Sequence, residues 1–388
     1  MLYAIIMTEK KDYASLSIQK HLEYKGKLWT HSKVPLNDKE DLSIYYTPGV
    51  AQPCREIAQN AEKAYDYTWK GNTVAIVSDG SAVLWLGNIW GIAGLPVMEG
   101  KAILFKEFGW VDAIPLVLNT QDPDEVIRVV EAISPTFWGI NLEDISAPNC
   151  FYIEEELKKR LSIPVFHDDQ HGTAIVVLAW LINALKLVKK EFADVKIVIS
   201  WSGAAGTAIA KLLHEYGAKN IVMTDSKWAI YLGRDGMNKY KDEIAAYNIN
   251  NEQGQLKDII RNADVFIGVS QPNLLLGEDI QTMASQPIVF AMANPNPEVI
   301  PEEAEKWNVF VYATGRSDYP NQINNLLAFP GIFKWALKWR KTAITTAHKL
   351  AAAEVLANSV DNVGVYNIIP SPLDKSLADK IAEAMKDI

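Results

Sequence analysis

Residues 195–206, VKIVISWSGAAG, read as a buried β-strand that runs through a glycine-containing turn into an apolar helix. The next predicted strand ends at Asp225, 19 residues after Gly206. A strand, a glycine turn and a helix, followed by a carboxylate about 20 residues on, are typical of a dinucleotide-binding βαβ unit. The sequence therefore predicts a dinucleotide site at this turn.

The predicted contacts to the dinucleotide are Gly203, Ala204, Ala205, Gly206 and Asp225. Gly203 would let the backbone approach the pyrophosphate at the helix N-terminus, and Gly206 would let the helix pack closely on the sheet. Asp225 would accept hydrogen bonds from the ribose and favours NAD over NADP, although Lys227 could offset this preference.

The pattern is incomplete, because Trp201 stands at the position of the fingerprint's first glycine. A plain βαβ unit without a ligand is therefore the alternative.

Strands alternate with helices on both sides of this unit, which predicts an α/β fold with parallel sheets. A chain of 388 residues is long for one domain. We predict two domains: residues 1–164 bind substrate, and residues 165–388 form a Rossmann-like, doubly wound parallel sheet that binds NAD(P). The predicted strands are 73–77, 113–118, 137–142 and 163–166, then 195–200, 220–224, 264–269, 287–291 and 309–313.

Composition narrows the class of protein. The net charge of −9 and the lack of a basic tract argue against a nucleic-acid partner. The start of the chain has no basic region before its apolar run, so it is a poor signal peptide. The longest apolar stretch, 173–188, is shorter than a membrane-spanning helix and predicts a core helix. Two cysteines, Cys54 and Cys150, fit a reducing compartment. We expect a cytoplasmic protein without a membrane partner.

Two acidic pairs, Glu143-Asp144 and Asp168-Asp169, each follow a predicted buried strand. They would meet at the carboxyl ends of the strands, where α/β proteins bind ligands. Converging carboxylates suit a hard cation, Mg²⁺ or Mn²⁺. The alternative is that these residues cap helix N-termini. His167 and His171 flank the second pair, and we interpret them as structural.

Other candidate site residues have simpler explanations as well. Lys101 lies in an otherwise apolar stretch, where it is either a surface group or a desolvated base with a lowered pKa. Tyr46 belongs to a tyrosine pair before a Pro-Gly turn and could serve only packing. Asn294 and Asn325 lie in loops beyond later strands, where asparagine is a common turn residue.

Ten segments in this order resemble malic enzymes of the short bacterial type. They are YYTPGVA, VSDGSAVL, PVMEGKA, GINLEDISAP, IPVFHDDQHGTA, GAAGTAIAKLL, DVFIGVS, ANPNPE, ATGRSDYPNQINN and AFPGIF. The resemblance implies roles for the candidate residues. Tyr46 corresponds to the general acid and Lys101 to the general base. Glu143, Asp144 and Asp169 correspond to metal ligands with Asp168 beside them, and Asn294 and Asn325 to contacts with substrate or nicotinamide.

The resemblance also implies an activity: oxidative decarboxylation of (S)-malate to pyruvate and carbon dioxide, with reduction of NAD and a need for Mg²⁺ or Mn²⁺. It implies a homodimer or a higher homo-oligomer. One alternative is a malolactic-type enzyme that keeps NAD bound and releases lactate. Another is a non-catalytic protein that binds a nucleotide or metabolite and has an obstructed cofactor loop.

Tryptophan stands at seven positions where the resemblance implies glycine. Glycine in turns often has a positive φ, which is costly for a side chain with a Cβ. We therefore expect strain at some of these positions. They are Trp85, Trp90, Trp110, Trp138, Trp201, Trp228 and Trp335.

Overall fold

The computed structural model describes residues 12–83 and 86–388. The start of the chain, which lacks the pattern of a signal peptide, lies outside the described residues, as does Trp85.

The first half of the chain builds a four-stranded parallel sheet with the strand order β2-β1-β3-β4. Three of the four strands are completely buried, as their apolar sequences predict. The strands are β1 (Thr73–Ser78), β2 (Asp112–Val117), β3 (Gly139–Leu142) and β4 (Val165–His167). The helices are α1 (Tyr13–Tyr24), α2 (Lys39–Tyr45), α3 (Ala51–Gln59), α4 (Ala64–Tyr67), α5 (Trp90–Leu104), α6 (Pro123–Ile133) and α7 (Asn149–Arg160).

The second half builds a five-stranded parallel sheet with the order β6-β5-β7-β8-β9. The strands are β5 (Lys196–Ser200), β6 (Asn220–Thr224), β7 (Val265–Gly268), β8 (Ile288–Ala291) and β9 (Val311–Thr314). The helices are α8 (Asp168–Val188), α9 (Ala204–Tyr216), α10 (Lys239–Ala245), α11 (Leu256–Ile259), α12 (Gly277–Gln281), α13 (Pro301–Lys306), α14 (Phe329–Lys338), α15 (Thr346–Asn358) and α16 (Leu377–Ala384).

Two parallel sheets confirm the predicted α/β class, and every predicted strand is present within about two residues of its predicted bounds. The predicted boundary between residues 164 and 165 falls just before β4. However, β4 pairs with β3 in the first sheet, with Val165 opposite Ile140. The change from one sheet to the other therefore comes at the start of α8.

Helix α8 joins the two halves through the core. It is one described helix that is long and apolar enough to cross a membrane, and 78% of its most apolar window is buried within the protein. Trp180 in its middle has no exposed surface and packs edge-on against Phe290 of β8. This burial matches the core helix that the sequence predicts.

Five of the six described tryptophans at expected glycine positions fall into two groups, and the sixth, Trp228, is exposed without a positive φ. Trp90, Trp110 and Trp201 have φ values of 66°, 59° and 82°, in the left-handed region that disfavours residues with a Cβ. Trp138 and Trp335 are instead buried in the core, where Trp138 donates a hydrogen bond to the carbonyl oxygen of Ala336. The strain expected from the sequence is therefore confined to the first group and does not extend to these two.

A single buried amide ties α8 to the end of the chain. Asn183 is completely buried, and its Nδ2 donates to the carbonyl oxygens of Ala357 at 2.9 Å and Ile368 at 3.0 Å. Both acceptors belong to the C-terminal region, so one side chain fixes α15 and the following loop on the core helix.

Asn183→Ala should lower the free energy of unfolding by roughly 2–4 kcal/mol, because two buried carbonyl oxygens lose their donor. Urea denaturation followed by far-UV circular dichroism measures the change. Asn250→Ala, at an exposed position, is the matched control and should have little effect. A loss below about 0.5 kcal/mol for Asn183→Ala would show that the amide does not hold the C-terminal region.

Candidate active site

The acidic residues meet because β3 and β4 are neighbours in a parallel sheet. Glu143 and Asp144 follow β3, and Asp168 and Asp169 follow β4, so all four lie at one edge of the first sheet. Carboxylate oxygens of Glu143, Asp144 and Asp169 lie within 4.8 Å of one another. The backbone N–H of Asp144 also donates to Asp169 Oδ2 at 2.8 Å, which holds the two loops together.

Helix capping does not account for these residues. Helix α8 has no hydrogen bond from a capping side chain at His167, and α7 has none at Pro148. The Asp169 carboxylate instead accepts from Asp144 across the sheet edge. The capping alternative is therefore not what the structure shows.

Lys101 reaches the cluster from α5 and is buried within it. Its Nζ lies 2.8 Å from Glu143 Oε1, donates to Asp168 Oδ2, and stands 4.2 Å from the ring centre of Phe329. Burial lowers the pKa of Lys101, but the carboxylates of Asp168 and Glu143 outweigh burial and raise it. The sequence left open that Lys101 has a lowered pKa. That prediction is wrong for the protein without a metal ion.

The close packing of these carboxylates changes their pKa values. Burial raises the pKa of Asp168 to about 7 and that of Asp169 to about 6, against the opposing effect of Lys101. Burial also raises the pKa of Glu143, whose Oε2 accepts from Asn141 at 2.8 Å. Four carboxylates with one ammonium group have an excess of negative charge, which a divalent cation would reduce. The converging oxygen donors of Glu143, Asp144 and Asp169 are of the type that suits Mg²⁺ or Mn²⁺.

The nearby histidines belong to a separate network. His171 Nε2 donates to the Glu154 carboxylate at 2.9 Å, while Lys349 Nζ donates to His171 Nδ1 at 3.0 Å. Burial lowers the pKa of His171 to about 3, so the ring stays neutral. In the part of the chain that the structure describes, the group of converging potential metal ligands contains carboxylates and no histidine.

The predicted cofactor turn is tight. Gly203 begins α9, and Ala204 and Ala205 occupy its first turn. A Cβ at Gly206 would lie 2.0 Å from the carbonyl oxygen of Trp201, so this position accepts only glycine without a backbone shift. A Cβ at Gly203 would lie 2.9 Å from the Trp201 indole, which therefore covers the turn.

Asp225 follows β6, as predicted, but its carboxylate is already engaged. Oδ1 accepts the backbone N–H groups of Lys227 at 2.9 Å and Trp228 at 3.2 Å. Oδ2 accepts from Arg234 at 2.6 Å and Lys241 at 2.7 Å. These donors lower the pKa of Asp225 despite its burial, which acts in the opposite direction.

The remaining predicted residues have different surroundings. Asn325 lies beside the carboxylate cluster, close enough to Asp168 to oppose the effect of burial on the pKa of that carboxyl. Asn294 is exposed in the loop after β8. Its Nδ2 lies so near Gly315 that a Cβ at that glycine would be 2.6 Å away. Tyr46 follows α2 and is 67% exposed, and no hydrogen bond joins its hydroxyl to another described residue.

Sequence reasoning missed two supporting residues. Asn141 is a polar residue inside the buried strand β3, and that mismatch was a signal that could have found it. Glu298 is completely buried and accepts the backbone N–H groups of Ser270 at 2.8 Å and Ala293 at 3.0 Å, so it joins the loops after β7 and β8. Its sequence gives no such signal, because the loops it joins are distant along the chain.

The fold and the carboxylate cluster together define a two-domain α/β protein of the dinucleotide-dependent oxidoreductase class. Residues 25–158 match the malic enzyme N-terminal domain, and residues 170–385 match the malic enzyme NAD-binding domain. The chain belongs to the malic enzyme family, which confirms the resemblance seen in the sequence.

Individual relatives agree with the family match. The chain is 56% identical to a bifunctional malic/malolactic enzyme of Bacillus subtilis, over 94% of this chain and 90% of the relative. It is 54% identical to an NAD-dependent malic enzyme of Geobacillus stearothermophilus, over 93% of this chain and 76% of the relative. The crystal structure of an NAD-dependent malic enzyme from Thermotoga maritima superposes with a TM-score of 0.93 at 46% identity, covering 96% of this chain and 99% of that one.

Mn²⁺ should raise the melting temperature more at about pH 7.5 than at about pH 5.5. The pKa values of Asp168 and Asp169 in the folded protein are raised to about 7 and about 6, above those of an unfolded chain. The metal-free protein therefore loses stability as pH rises through this window, while ionised carboxylates become available to the metal. Differential scanning fluorimetry with and without Mn²⁺ at the two pH values measures the effect.

Asp169→Asn supplies the control for this experiment, because it removes one proposed ligand. It should abolish most of the Mn²⁺-dependent rise. An equal rise at both pH values, or one that persists in Asp169→Asn, would contradict a metal site at these carboxylates.

Trp201→Gly should lower the dissociation constant for NAD and leave the affinity for Mn²⁺ unchanged. It removes an indole that covers Gly203 and relieves a positive φ that costs about 1 kcal/mol. Isothermal titration with NAD measures the affinity. Trp110→Gly relieves a positive φ at an exposed position outside the cofactor turn, so it should stabilise the fold without changing the affinity for NAD. Unchanged NAD affinity in Trp201→Gly would mean that the indole does not obstruct the pyrophosphate.

Proposed function

We propose that this protein catalyses the oxidative decarboxylation of (S)-malate to pyruvate and carbon dioxide, with reduction of NAD and a requirement for Mg²⁺ or Mn²⁺. The observation that carries the proposal is the buried ammonium group of Lys101 among the carboxylates of Glu143 and Asp168, beside three converging metal-type ligands. Membership of the malic enzyme family supports the same activity.

Lys101 is the proposed general base for the malate hydroxyl. Glu143 and Asp168 both stabilise its ammonium form in the metal-free protein. Engaging Glu143 as a metal ligand would remove one of these two partners and bring the pKa of Lys101 down towards the value that a base needs. Phe329 lies over Nζ and shields it from water.

We assign each step of the proposed reaction to a small number of side chains. Glu143, Asp144 and Asp169 would hold a divalent cation, which would supply a Lewis acid for the substrate's oxygen atoms. Lys101 would take the proton of the malate hydroxyl, and a nicotinamide bound at the cofactor turn would accept the hydride from C2. After carbon dioxide departs, Tyr46 donates a proton to C3, and pyruvate forms. Asn325 lies near Asp168, and Asn294 and Asn325 would contact substrate or nicotinamide.

Residues 1–164 would then bind malate and, together with Asp169 at the start of α8, the metal ion. Residues 165–388 would bind NAD through Gly203, Ala204, Ala205, Gly206 and Asp225. The covering of Gly203 by Trp201 would weaken NAD binding without blocking the helix N-terminus. The two free cysteines and the acidic composition support a cytoplasmic protein whose partners are small molecules.

A second copy of the chain is the proposed partner of the N-terminal helices. Helices α1, α2 and α3 bury none of their residues, although they carry apolar side chains. Trp29, between α1 and α2, is 91% exposed. Exposed apolar surface of this extent is typical of a subunit interface, which supports a homodimer or a higher homo-oligomer. Tyr46 lies in this segment, so the same contact would fix its position.

A malolactic-type reaction is the second candidate, because the relative with 56% identity is named a bifunctional malic/malolactic enzyme. Such a reaction would use the same carboxylates and Lys101, but its product would be lactate. The third possibility raised by the sequence, a non-catalytic binding protein, depends on obstruction of the cofactor turn by Trp201.

Incubation with malate, NAD and Mn²⁺ should yield pyruvate and NADH in equal amounts, and chelation of the metal should stop both. Absorbance at the NADH band and chromatography of the products measure this. Lys101→Ala should lower kcat by ~10²-fold or more, because the hydroxyl proton loses its acceptor. Lactate without net NADH would favour the malolactic reaction, and NAD binding without turnover would favour the binding protein.

A further inference from the structure

A cavity of about 170 Å³ lies among α7, α8, α9 and α15, outside the carboxylate cluster. Its walls include Gln170 of α8 and Lys349 of α15. A helix turns by about 100° per residue, so Gln170 lies about 200° around α8 from Asp168, whose carboxylate contacts Lys101. The cavity is therefore on the side of α8 that is turned away from the candidate active site.

Lys349 brings an amino group to this cavity without a carboxylate partner. Its Nζ donates to Nδ1 of the neutral His171 ring at 3.0 Å, and among the residues that the structure describes no carboxylate lies at ion-pair distance from it. Burial, together with the charges of Lys158 and Lys211, lowers the pKa of Lys349 to about 7 against the opposing effect of Glu154. An anion beside Nζ would stabilise this buried amino group in its charged form.

Glu154, the buried carboxylate on the cavity wall, is engaged by other donors. It accepts from His171 Nε2 at 2.9 Å and from the backbone N–H of His167 at 3.1 Å, and it pairs with Lys158 at 2.8 Å. Because these three donors occupy its oxygen atoms, a counter-ion for Lys349 has to come from outside the protein.

The other charged groups of the wall are at the solvent side. Glu155 pairs with Lys239 at 2.9 Å, Lys211 pairs with Glu243 at 2.6 Å, and Glu215 is exposed. Water and their partners screen these charges. They leave the buried amino group as the main charge that an anion in the cavity would meet.

Gln170 adds a second donor to the same wall. It is 4% exposed, and in the described part of the chain its Nε2 is buried without a hydrogen-bond partner. A buried amide N–H of this kind is costly unless something accepts from it. The rest of the wall is partly apolar, with Phe151, Ala174, Ala208 and Leu212. An ammonium group and an amide beside apolar side chains suit a carboxylate on a short carbon chain better than a phosphate.

We propose that this cavity binds a small carboxylate as a regulatory ligand, with Lys349 and Gln170 donating to its oxygen atoms and the apolar wall packing against its carbon chain. The ligand would contact α8 directly after Asp169 and α9 directly after Gly206, since Gln170 and Thr207 both line the cavity. It would thereby connect the proposed metal ligands with the proposed cofactor turn. The binding site itself does not depend on the proposed function.

Butyrate is the probe for this site, titrated at constant ionic strength in the presence of a chelator and followed by saturation-transfer NMR. The wild-type protein should bind it with a Kd of about 1 mM or lower, and more tightly than acetate or inorganic phosphate. The carboxylate cluster without a metal ion repels butyrate, so it does not contribute. Binding raises the pKa of Lys349, so the affinity should be higher at about pH 6.5 than at about pH 8.5.

Two variants remove one donor each. Lys349→Met keeps the apolar stem and should weaken butyrate by about tenfold or more and abolish the pH dependence. Gln170→Leu should weaken butyrate by about threefold to tenfold, the effect of one neutral hydrogen bond. Lys219→Met, at an exposed position before β6, is the matched control and should leave the affinity unchanged. Circular dichroism checks that each variant is folded, and if one variant is not, the other decides.

Several results would overturn the site. They are no binding by the wild-type protein at about 10 mM butyrate, tighter binding of phosphate than of butyrate, or an unchanged affinity in the folded variants. The regulatory role has its own measurement, which rests on the proposed function: butyrate should change the KM for NAD by about fivefold, and an unchanged KM would overturn that role. If malate is not oxidised but Lys349→Met weakens butyrate, the proposed function fails and the binding site stands.

Discussion

The parallel pairing of β3 with β4 is the constraint on which the candidate active site depends. Because the two strands run in the same direction and are neighbours, Glu143-Asp144 and Asp168-Asp169 emerge at one edge of the sheet. The hydrogen bond from the Asp144 N–H to Asp169 locks this arrangement. Glu143, Asp144 and Asp168 are buried and Asp169 is partly exposed. Burial of these carboxylates is costly without compensation, and Lys101 supplies part of it in the metal-free protein. The rest of the first half of the chain positions these few groups.

The same cluster explains why the two halves of the molecule work as one unit. Helix α8 begins with Asp168 and Asp169 and then continues into the core beside α9, the helix of the cofactor turn. The metal-type ligands and the proposed dinucleotide turn are therefore attached to two helices that pack on each other. Asn183, further along α8, fastens the C-terminal region to the same helix. The proposed metal ligands and the proposed cofactor turn are thus connected through one buried helix.

The balance of charge differs between the two ends of the proposed dinucleotide site. At the reacting end, carboxylates exceed cations, and burial raises the pKa values of Asp168 and Asp169. At Asp225, where a βαβ unit receives the ribose, two cations face one carboxylate. Burial acts to raise the pKa of Asp225, but hydrogen bonds from Lys241 and Arg234 outweigh burial and lower it. An aspartate after the second strand of a βαβ unit is therefore not by itself a measure of cofactor preference, since its partners decide the charge that a ligand meets.

The sequence by itself determined the alternation of strands and helices, the glycine turn at 203–206 and the two acidic pairs, because these are local patterns of hydrophobicity and residue type. It also determined the family, through ten ordered segments. Only the tertiary structure decided the charge state of Lys101 and the engagement of every lone pair of Asp225. Each of these depends on partners that are distant along the chain: Asp168 lies 67 residues from Lys101, and Lys241 lies 16 residues from Asp225. The pKa of a group and the number of its hydrogen bonds depend on the residues that surround it in space. A local sequence pattern does not show which residues those are.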